Sequence, residues 1–375
     1  MKKKVLIVNN TLGEGGAEKV LIDILNRFNY DKFQVKLLIL NKKGMRFKDV
    51  NKNVKLRCLY PDWKFKSKFA NKIWNFFKYR SMKYFYSIIY RLYAGMKNDI
   101  EIAFLEGDPT KFVSQSLNKK SKKIAWVHTD LSKSRSKEVN DEFKSVYETF
   151  DKIVCVSNSS KVAFLNCYQN MGDKVITIYN MIEIEKVRTL SNEILDIKYN
   201  KPTIVSVGRL TKLKRFDLLI KAHKNLLDKG ISNEVIILGI GEEEENLKKL
   251  ISIKGVEDTV KMLGYKDNPY PHIKNGDIFV VTSDFEGFSL VIAEAVCLGK
   301  VIVSTKNGGA NEILCNDKYG KLVELGNEGE LTNALGEVLL DDDKRRYYEK
   351  SVQERCKIFK PTRVMNEINT LLENK

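Results

Sequence analysis

The chain has 375 residues, more than one hydrophobic core usually serves. Its apolar fraction of 43%, with 6 Pro and no low-complexity tract, excludes disorder and favours two folded domains. A net charge of +17, from 65 Lys and Arg against 48 Asp and Glu, favours polyanionic partners such as phosphorylated substrates, anionic lipid or nucleic acid, although a generally lysine-rich surface would give the same balance. Six scattered cysteines (Cys58, Cys155, Cys167, Cys297, Cys315, Cys356) without a C-x-x-C pair, and only 3 His, exclude zinc-site spacing and fit a reducing compartment.

The opening MKKKVLIVNN is basic and then apolar, but Val5–Val8 is too short for the apolar region of a secretion signal and reads as a first strand. No stretch reaches the roughly 18 apolar residues that span a bilayer. Short apolar runs then alternate with helical patterns. The strand candidates of the first half are Val5–Val8, Val35–Leu40, Ile100–Leu105, Ile124–Val127, Ile153–Val156 and Val175–Ile178. Those of the second half are Thr203–Val207, Val235–Leu238, Val260–Leu263, Ile278–Val281 and Val301–Ser304. Runs of this kind suit parallel strands covered on both faces, and two β/α series imply two doubly wound Rossmann-like domains. The expected organisation is a first domain over 1–180, a second over 181–360 and a helix over 361–375 that packs back on the first. In such sheets ligands bind beyond the C-terminal strand ends, so the loops there carry the chemistry.

After the first strand, NNTLGEGGAEKVL places Gly13, Gly15 and Gly16 before a helix start near Ala17–Glu18, where backbone N–H groups can meet a phosphate. A tight strand–helix turn has the same composition. Residues 63–97 contain nine Lys or Arg, twelve aromatics and no acid. That composition fits a helix lying on an anionic membrane, or helices packed on the first core with a solvated basic face. His128, in WVHTD, follows Ile124–Val127 directly and is placed to donate a hydrogen bond or shuttle a proton. His223, on a helix, and His272, in a loop, have no such placement.

In the second half, Thr203–Val207 runs into GRLTKLKRFDLLI. Arg209 and Lys214 precede a helix start near Phe216–Asp217, a suitable pair of cations for a diphosphate, whereas Lys212 and Arg215 read as a solvated basic turn. After Ile278–Val281, the segment SDFEGFSLVIAEA places Glu286 and Gly287 in a loop and starts a helix near Ser289. The backbone N–H groups of Phe288, Ser289 and Leu290 lie at that start, and Glu294 lies about a turn and a half inside. Two glutamates at this spacing also arise by chance. Asp341–Asp343 reads as a solvated helix cap.

Taken in order, GGAE, WVH, GRLTKLKRFD, LGIGEEEENL, VKMLGY, SDFEGFSLVIAEA and NGGANEIL resemble glycosyltransferase family 4, retaining enzymes of the GT-B fold with two Rossmann-like domains facing a cleft. The resemblance covers essentially the whole chain and is strongest at the E-x7-E pair. It implies that Glu294 binds ribose hydroxyls and Glu286 contacts the donor sugar. Arg209 and Lys214 would hold the diphosphate in place of a metal, with Gly15, Gly16 and the amides of Phe288, Ser289 and Leu290 adding donors beside Gly287. His128 would lie near sugar and acceptor, and Gly264 and Tyr265 by the base. The implied reaction moves a hexosyl or N-acetylhexosaminyl group from a nucleotide diphosphate sugar, UDP-sugar favoured, to a saccharide acceptor of the polyprenyl-diphosphate-linked kind. The resemblance favours front-face displacement without a covalent intermediate. No cofactor, metal or nucleic acid is expected, and the expected location is the cytoplasmic face of the plasma membrane, with 63–97 on the anionic surface. The rivals are a non-catalytic sugar-binding partner, a nucleotide-sugar epimerase of the same fold and a nucleic-acid binder. Retention of both motif glutamates disfavours the first, the E-x7-E segment the second, and the lack of any recognisable RNA or DNA module the third.

Overall fold

The computed structural model describes residues 2–13, 15–62, 67–134, 136–195 and 197–374. Glu14 of the first glycine loop and Trp63–Lys66 of the aromatic, basic stretch lie outside the described residues. The chain forms two compact units, Met1–Met181 with Val364–Lys375, and Ile182–Arg363.

The first unit is built on a sheet of strands β1 (Lys3–Asn9), β2 (Phe33–Asn41), β3 (Lys55–Tyr60), β4 (Ile100–Ala103), β5 (Lys122–Val127), β6 (Lys152–Cys155) and β7 (Val175–Thr177). All pairings are parallel, in the order β3-β2-β1-β4-β5-β6-β7. β1, in the middle of the sheet, is apolar on both faces because helices cover both: Val5, Leu6, Ile7 and Val8 are all buried. The second unit repeats the plan with β8 (Thr203–Val207), β9 (Glu234–Leu238), β10 (Val260–Met262), β11 (Ile278–Val281), β12 (Val301–Thr305) and β13 (Lys321–Val323), parallel in the order β10-β9-β8-β11-β12-β13.

This order fixes where ligands can bind. In each sheet the winding reverses beside the first strand of its series, between β1 and β4 and between β8 and β11. Loops diverge at such a point and leave a crevice at the carboxyl ends of the strands. The loops after β8 and β11 are GRLTKLKRFD and SDFEGF; those after β1 and β4 are NNTLGEGGAE and FLEGDP.

The helix Pro361–Glu373 starts in the second unit and, from Val364 on, belongs to the first, burying Val364, Met365, Ile368, Leu371 and Leu372. Its open C-terminal carbonyls are met by lysines at the amino ends of β1 and β5. Lys3 Nζ donates to Leu372 O at 3.1 Å and Glu373 O at 2.9 Å, and Lys122 Nζ to Leu371 O at 2.7 Å. Cations suit the negative end of a helix dipole, so part of the lysine surplus is structural.

Several expectations need correction. β3 and β13 were not expected as strands; both are edge strands, β3 (KLRCLY) of mixed burial and β13 (KLV) largely buried but only three residues long, so neither offers a continuous apolar run. The strand expected over Ile100–Leu105 ends at Ala103 and that over Ile153–Val156 at Cys155. His272 lies in the short helix Tyr270–Asn275 rather than in a loop, with Nδ1 2.7 Å from Tyr199 Oη. His223 is buried between Asn233 Oδ1 at 2.7 Å and Thr259 Oγ1 at 2.8 Å, a structural residue. Asp341 caps the helix Asp342–Cys356 by accepting from Lys344 N at 2.9 Å. Among the described residues no helix is long and apolar enough to cross a membrane.

Candidate functional site

The second unit assembles its site from the two loops at the switch point. β8 ends at Val207, and the chain turns through Gly208 and Arg209 into a short 3-10 turn, Lys212–Lys214, before the helix Phe216–Asp228. Arg215 joins the turn to the helix in the left-handed region, with φ of 49°. Its guanidinium is not solvated as expected: it donates to Asp217 Oδ1 at 3.1 Å and Asp284 Oδ1 at 3.3 Å, bracing the β8 loop against the β11 loop. Thr282 Oγ1 donates to Lys214 O at 2.7 Å and Asp284 N to Leu213 O at 2.9 Å, which completes the brace.

That brace aims Lys214 at Glu286. The two side chains are in direct contact as an ion pair, with exposures of 25% and 10%. Ser283 Oγ also donates to Glu286 Oε1, at 2.8 Å. Burial alone would push the Glu286 carboxyl up. The Lys214 charge, with hydrogen bonds from Lys214 and Ser283, outweighs burial and holds the carboxyl below its ordinary range. Glu286 is therefore ionised at neutral pH and acts as an acceptor only. Arg209 is exposed at the end of β8.

The helix Leu290–Cys297 starts beside this carboxylate, with Ser289 as N-cap. Ser289 makes no side-chain cap bond, and its buried Oγ has no hydrogen-bond partner. The first amides of the helix are thus uncapped by Ser289, next to buried Gly287 and Phe288. Glu294, on the same helix, is buried and accepts from Tyr270 Oη at 3.1 Å. A second helix, Gly308–Leu314, abuts the loop: Gly309 N donates to Glu286 O at 3.1 Å, and a Cβ on Gly309 would lie 3.1 Å from Phe288 Cα. Asn307 Nδ2 and Thr305 Oγ1 bind Ser283 O at 3.1 and 2.7 Å. The glycines of NGGANEIL therefore let one helix seat the loop of another. Gly264, at φ of 70°, faces open space, and Tyr265 is exposed beside it.

In the first unit, Gly15 is the N-cap of helix Gly16–Arg27 and makes no side-chain cap bond. Glu18 in its first turn folds back: Oε1 accepts from Thr11 Oγ1 at 3.1 Å, and a Cβ on Gly15 would meet Oε2 at 2.3 Å. A carboxylate thus stands at the turn expected to meet a phosphate through Gly15 and Gly16. His128 follows β5, with its ring 4.9 Å from that of Phe104, and its Nε2 is buried without a partner. Burial lowers its pKa, against the pull of Glu106, a bond to the Phe104 backbone and Glu18, so the imidazole is neutral at pH 7. Glu106, after β4, accepts from His128 N at 2.5 Å and Thr129 N at 2.9 Å.

Residues 187–355 match the family model Glycosyl transferases group 1. The chain carries a glycosyl transferases group 1 domain. The match contains Arg209, Lys214, Glu286 and Glu294. Over its whole length the chain is similar to an N-acetylgalactosamine-N,N'-diacetylbacillosaminyl-diphospho-undecaprenol 4-alpha-N-acetylgalactosaminyltransferase of Campylobacter jejuni, 28% identical, with 97% of this chain and 98% of that protein covered. Anabaena HepE in complex with UDP and glucose superposes with a TM-score of 0.80 at 20% identity, covering 99% of each chain. A mutant S. aureus TarM bound to UDP gives 0.77 at 13%, covering 99% of this chain and 100% of that one. The fold is the GT-B arrangement of two parallel-sheet Rossmann-like domains.

The second unit also relies on residues to which the sequence assigned no role. Gly239, at φ of 145°, packs on the β8 loop: a Cβ there would lie 1.8 Å from Gly208 O, and one on Gly241 2.2 Å from Leu210 O. Leu210 N donates to Ile240 O at 3.0 Å, so the loops after β8 and β9 run in hydrogen-bonded contact and present Arg209 outward. The G-x-G of LGIG was the available signal. Ser283 and Tyr270, the donors to the two glutamates, have no signal in sequence spacing.

Proposed function

We propose that this chain is a retaining, metal-independent glycosyltransferase. It moves a hexosyl or N-acetylhexosaminyl group from a UDP-sugar to a saccharide carried on a polyprenyl diphosphate, at the cytoplasmic face of the plasma membrane, in cell-surface polysaccharide synthesis. The observation that carries the reading is the Lys214–Glu286 contact, set beside the helix start that Ser289 leaves uncapped, with Glu294 on the same helix. Similarity to a transferase whose name states an undecaprenyl-diphosphate acceptor, and to HepE bound to UDP and glucose, supports the choice of donor and acceptor class.

The roles follow from the chemistry of each group. Arg209 and Lys214 neutralise the charge that builds on the diphosphate as the sugar–phosphate bond breaks, supplemented by the helix N–H groups. Ionised Glu286 accepts hydrogen bonds from donor hydroxyls, and Glu294 accepts from the ribose. Neutral His128, with a free Nε2, orients the acceptor in the first unit. The sugar's C1–O(phosphate) bond breaks and the C1–O(acceptor) bond forms on the same face. The acceptor hydroxyl proton passes to the departing phosphate oxygen, so no enzyme nucleophile is needed. Incubation with UDP-hexoses and UDP-N-acetylhexosamines in EDTA, with a polyprenyl-diphosphate saccharide, is expected to give an α-linked product by NMR. A β-linked product, a strict requirement for added metal, epimerised nucleotide sugar without acceptor, or a glycosylated Glu286 or His128 caught by mass spectrometry would each overturn part of the reading.

A further inference from the structure

The first unit carries a helix with two apolar faces. In Lys68–Tyr84, Trp74 and Met82 pack against the core of the unit, Ser81 Oγ lies 2.7 Å from Tyr60 Oη, and Lys78 Nζ donates to Asn41 Oδ1 at 3.1 Å. That side satisfies the helix as a structural element. The opposite side is not polar, as a solvated helix face would be. Phe69, Ile73, Phe76, Phe77 and Tyr84 recur at helical spacing, so they share one stripe, and each is between 53% and 72% exposed. At roughly 100 Å² apiece they present roughly 500 Å² of contiguous apolar surface, as large as the largest patch on a typical soluble monomer. The patch continues through Phe85, Ile88 and Leu92, also more than half exposed.

Charge identifies what covers it. Residues 67–97 hold seven Lys or Arg and no acid. Arg80 stands within the stripe, its guanidinium 5.2 Å from the Phe76 ring and 4.9 Å from the Tyr84 ring, so its charge rides on the aromatic surface rather than pairing with a carboxylate. A second copy of a chain with net charge +17 would bring a like-charged face to this one. Aromatics interleaved with cations match a lipid surface with anionic headgroups, where rings enter the headgroup boundary and cations stay at phosphate level.

We infer that the outer face of Lys68–Tyr84, extended to Leu92, is an anionic-membrane docking surface, with Phe69, Ile73, Phe76 and Phe77 inserted and Arg80 at the phosphates. The sequence allowed either a packed or a membrane-facing helix; the structure assigns one face to each. This inference does not depend on the sugar reaction, and its test contains neither donor nor acceptor.

The full chain is sedimented with vesicles of phosphatidylcholine alone or with one third phosphatidylglycerol, at low and moderate salt. Binding to the anionic vesicles is expected, with at least a tenfold loss in Phe76→Ser/Phe77→Ser. Arg80→Glu, which reverses an exposed charge and removes its contacts with the Phe76 and Tyr84 rings but touches no core residue, is expected to weaken anionic binding several-fold and decides the matter should the double variant fail to fold. Equal sedimentation with both vesicle types, unchanged binding in the variants, or lipid-free dimerisation lost in Phe76→Ser/Phe77→Ser would overturn the inference, the last by naming a second copy as the occupant.

Discussion

Replacing Lys214 by alanine isolates the central contact of the second unit. The lysine is 25% exposed and its partner Glu286 10%, so the substitution leaves a nearly buried carboxylate with Ser283, at 2.8 Å, as its retained side-chain donor. Stranding a buried charge costs about 3–5 kcal/mol; the exposed part of the lysine puts this case at the lower end, about 3 kcal/mol, or about 150-fold in the folding equilibrium of the unit. Glu286→Gln in the same background removes the stranded charge, so the double variant is expected to recover most of the loss, a coupling of about 2 kcal/mol. The sign of the pH dependence follows from the shifted carboxyl. In the native protein Lys214 holds Glu286 below its ordinary 4.5, so its contribution is present above that value and lost as pH falls through the lower folded one. In Lys214→Ala burial, opposed only by the retained Ser283 bond, raises the carboxyl instead. The deficit against wild type is then full at neutral pH and shrinks as acid protonates Glu286. Urea unfolding of the wild type, the two single variants and the double variant at pH 7 and pH 4 measures all of this. Additive effects, or a deficit independent of pH, would refute the reasoning. The same variant is expected to lose about 10²–10³ in turnover, because one cation facing the leaving diphosphate is gone; near-normal turnover would remove Lys214 from the mechanism.

Other expectations follow from single residues. Burial holds His128 below its ordinary 6.5, so it contributes stability above that pH that is lost as pH falls through the lower folded value; melting curves of wild type against His128→Asn should diverge below pH 6.5, and parallel curves would contradict the assignment. Gly239→Ala places a methyl 1.8 Å from Gly208 O at φ of 145° and is expected to cost more than about 3 kcal/mol and abolish UDP binding, whereas Gly107→Ala, at φ of 91° but facing open space, should cost about 1 kcal/mol; similar melting temperatures for the two would undo the packing argument. Glu106→Ala releases the His128 and Thr129 amides and is expected to lower turnover more than tenfold, with Glu106→Gln, which still offers an acceptor oxygen, largely restoring it. Equal activity of the two variants would show that Glu106 does not hold that loop through these bonds.

Much of the fold was legible because its signal is local. The buried strands β1 and β11 carry continuous apolar runs and β8, TIVSV, a mostly apolar one, and each is followed by a loop whose glycines, cations or acids stand out. Edge strand β3 was not legible, since its half-exposed face carries Lys55 and Arg57, which dilute the run, and β13 was not, because its three residues are too short a run to stand out. Glu286 and Glu294 were visible as a spaced pair, but not that Lys214, 72 residues earlier, closes on Glu286. Glu106 in FLEGDP looks like any solvated acid until the sheet order puts β4 beside β1 and β5. Arg215 read as a solvated turn because, besides Asp217 two residues on, its other partner Asp284 lies in the β11 loop, which only the fold brings beside it. The stretch 63–97 stayed ambiguous because core packing and membrane docking demand the same aromatics; only the observed helix separates its inward from its outward face.

The most direct test of the account is a calorimetric titration of the purified protein with UDP and with GDP in the presence of EDTA, repeated with Glu294→Ala. Micromolar binding of UDP without metal, weak or absent binding of GDP, and loss of UDP binding in the variant are predicted. Binding of neither nucleotide would mean that Arg209, Lys214, Glu286 and Glu294 do not form a nucleotide-diphosphate site, and would contradict the account at its centre.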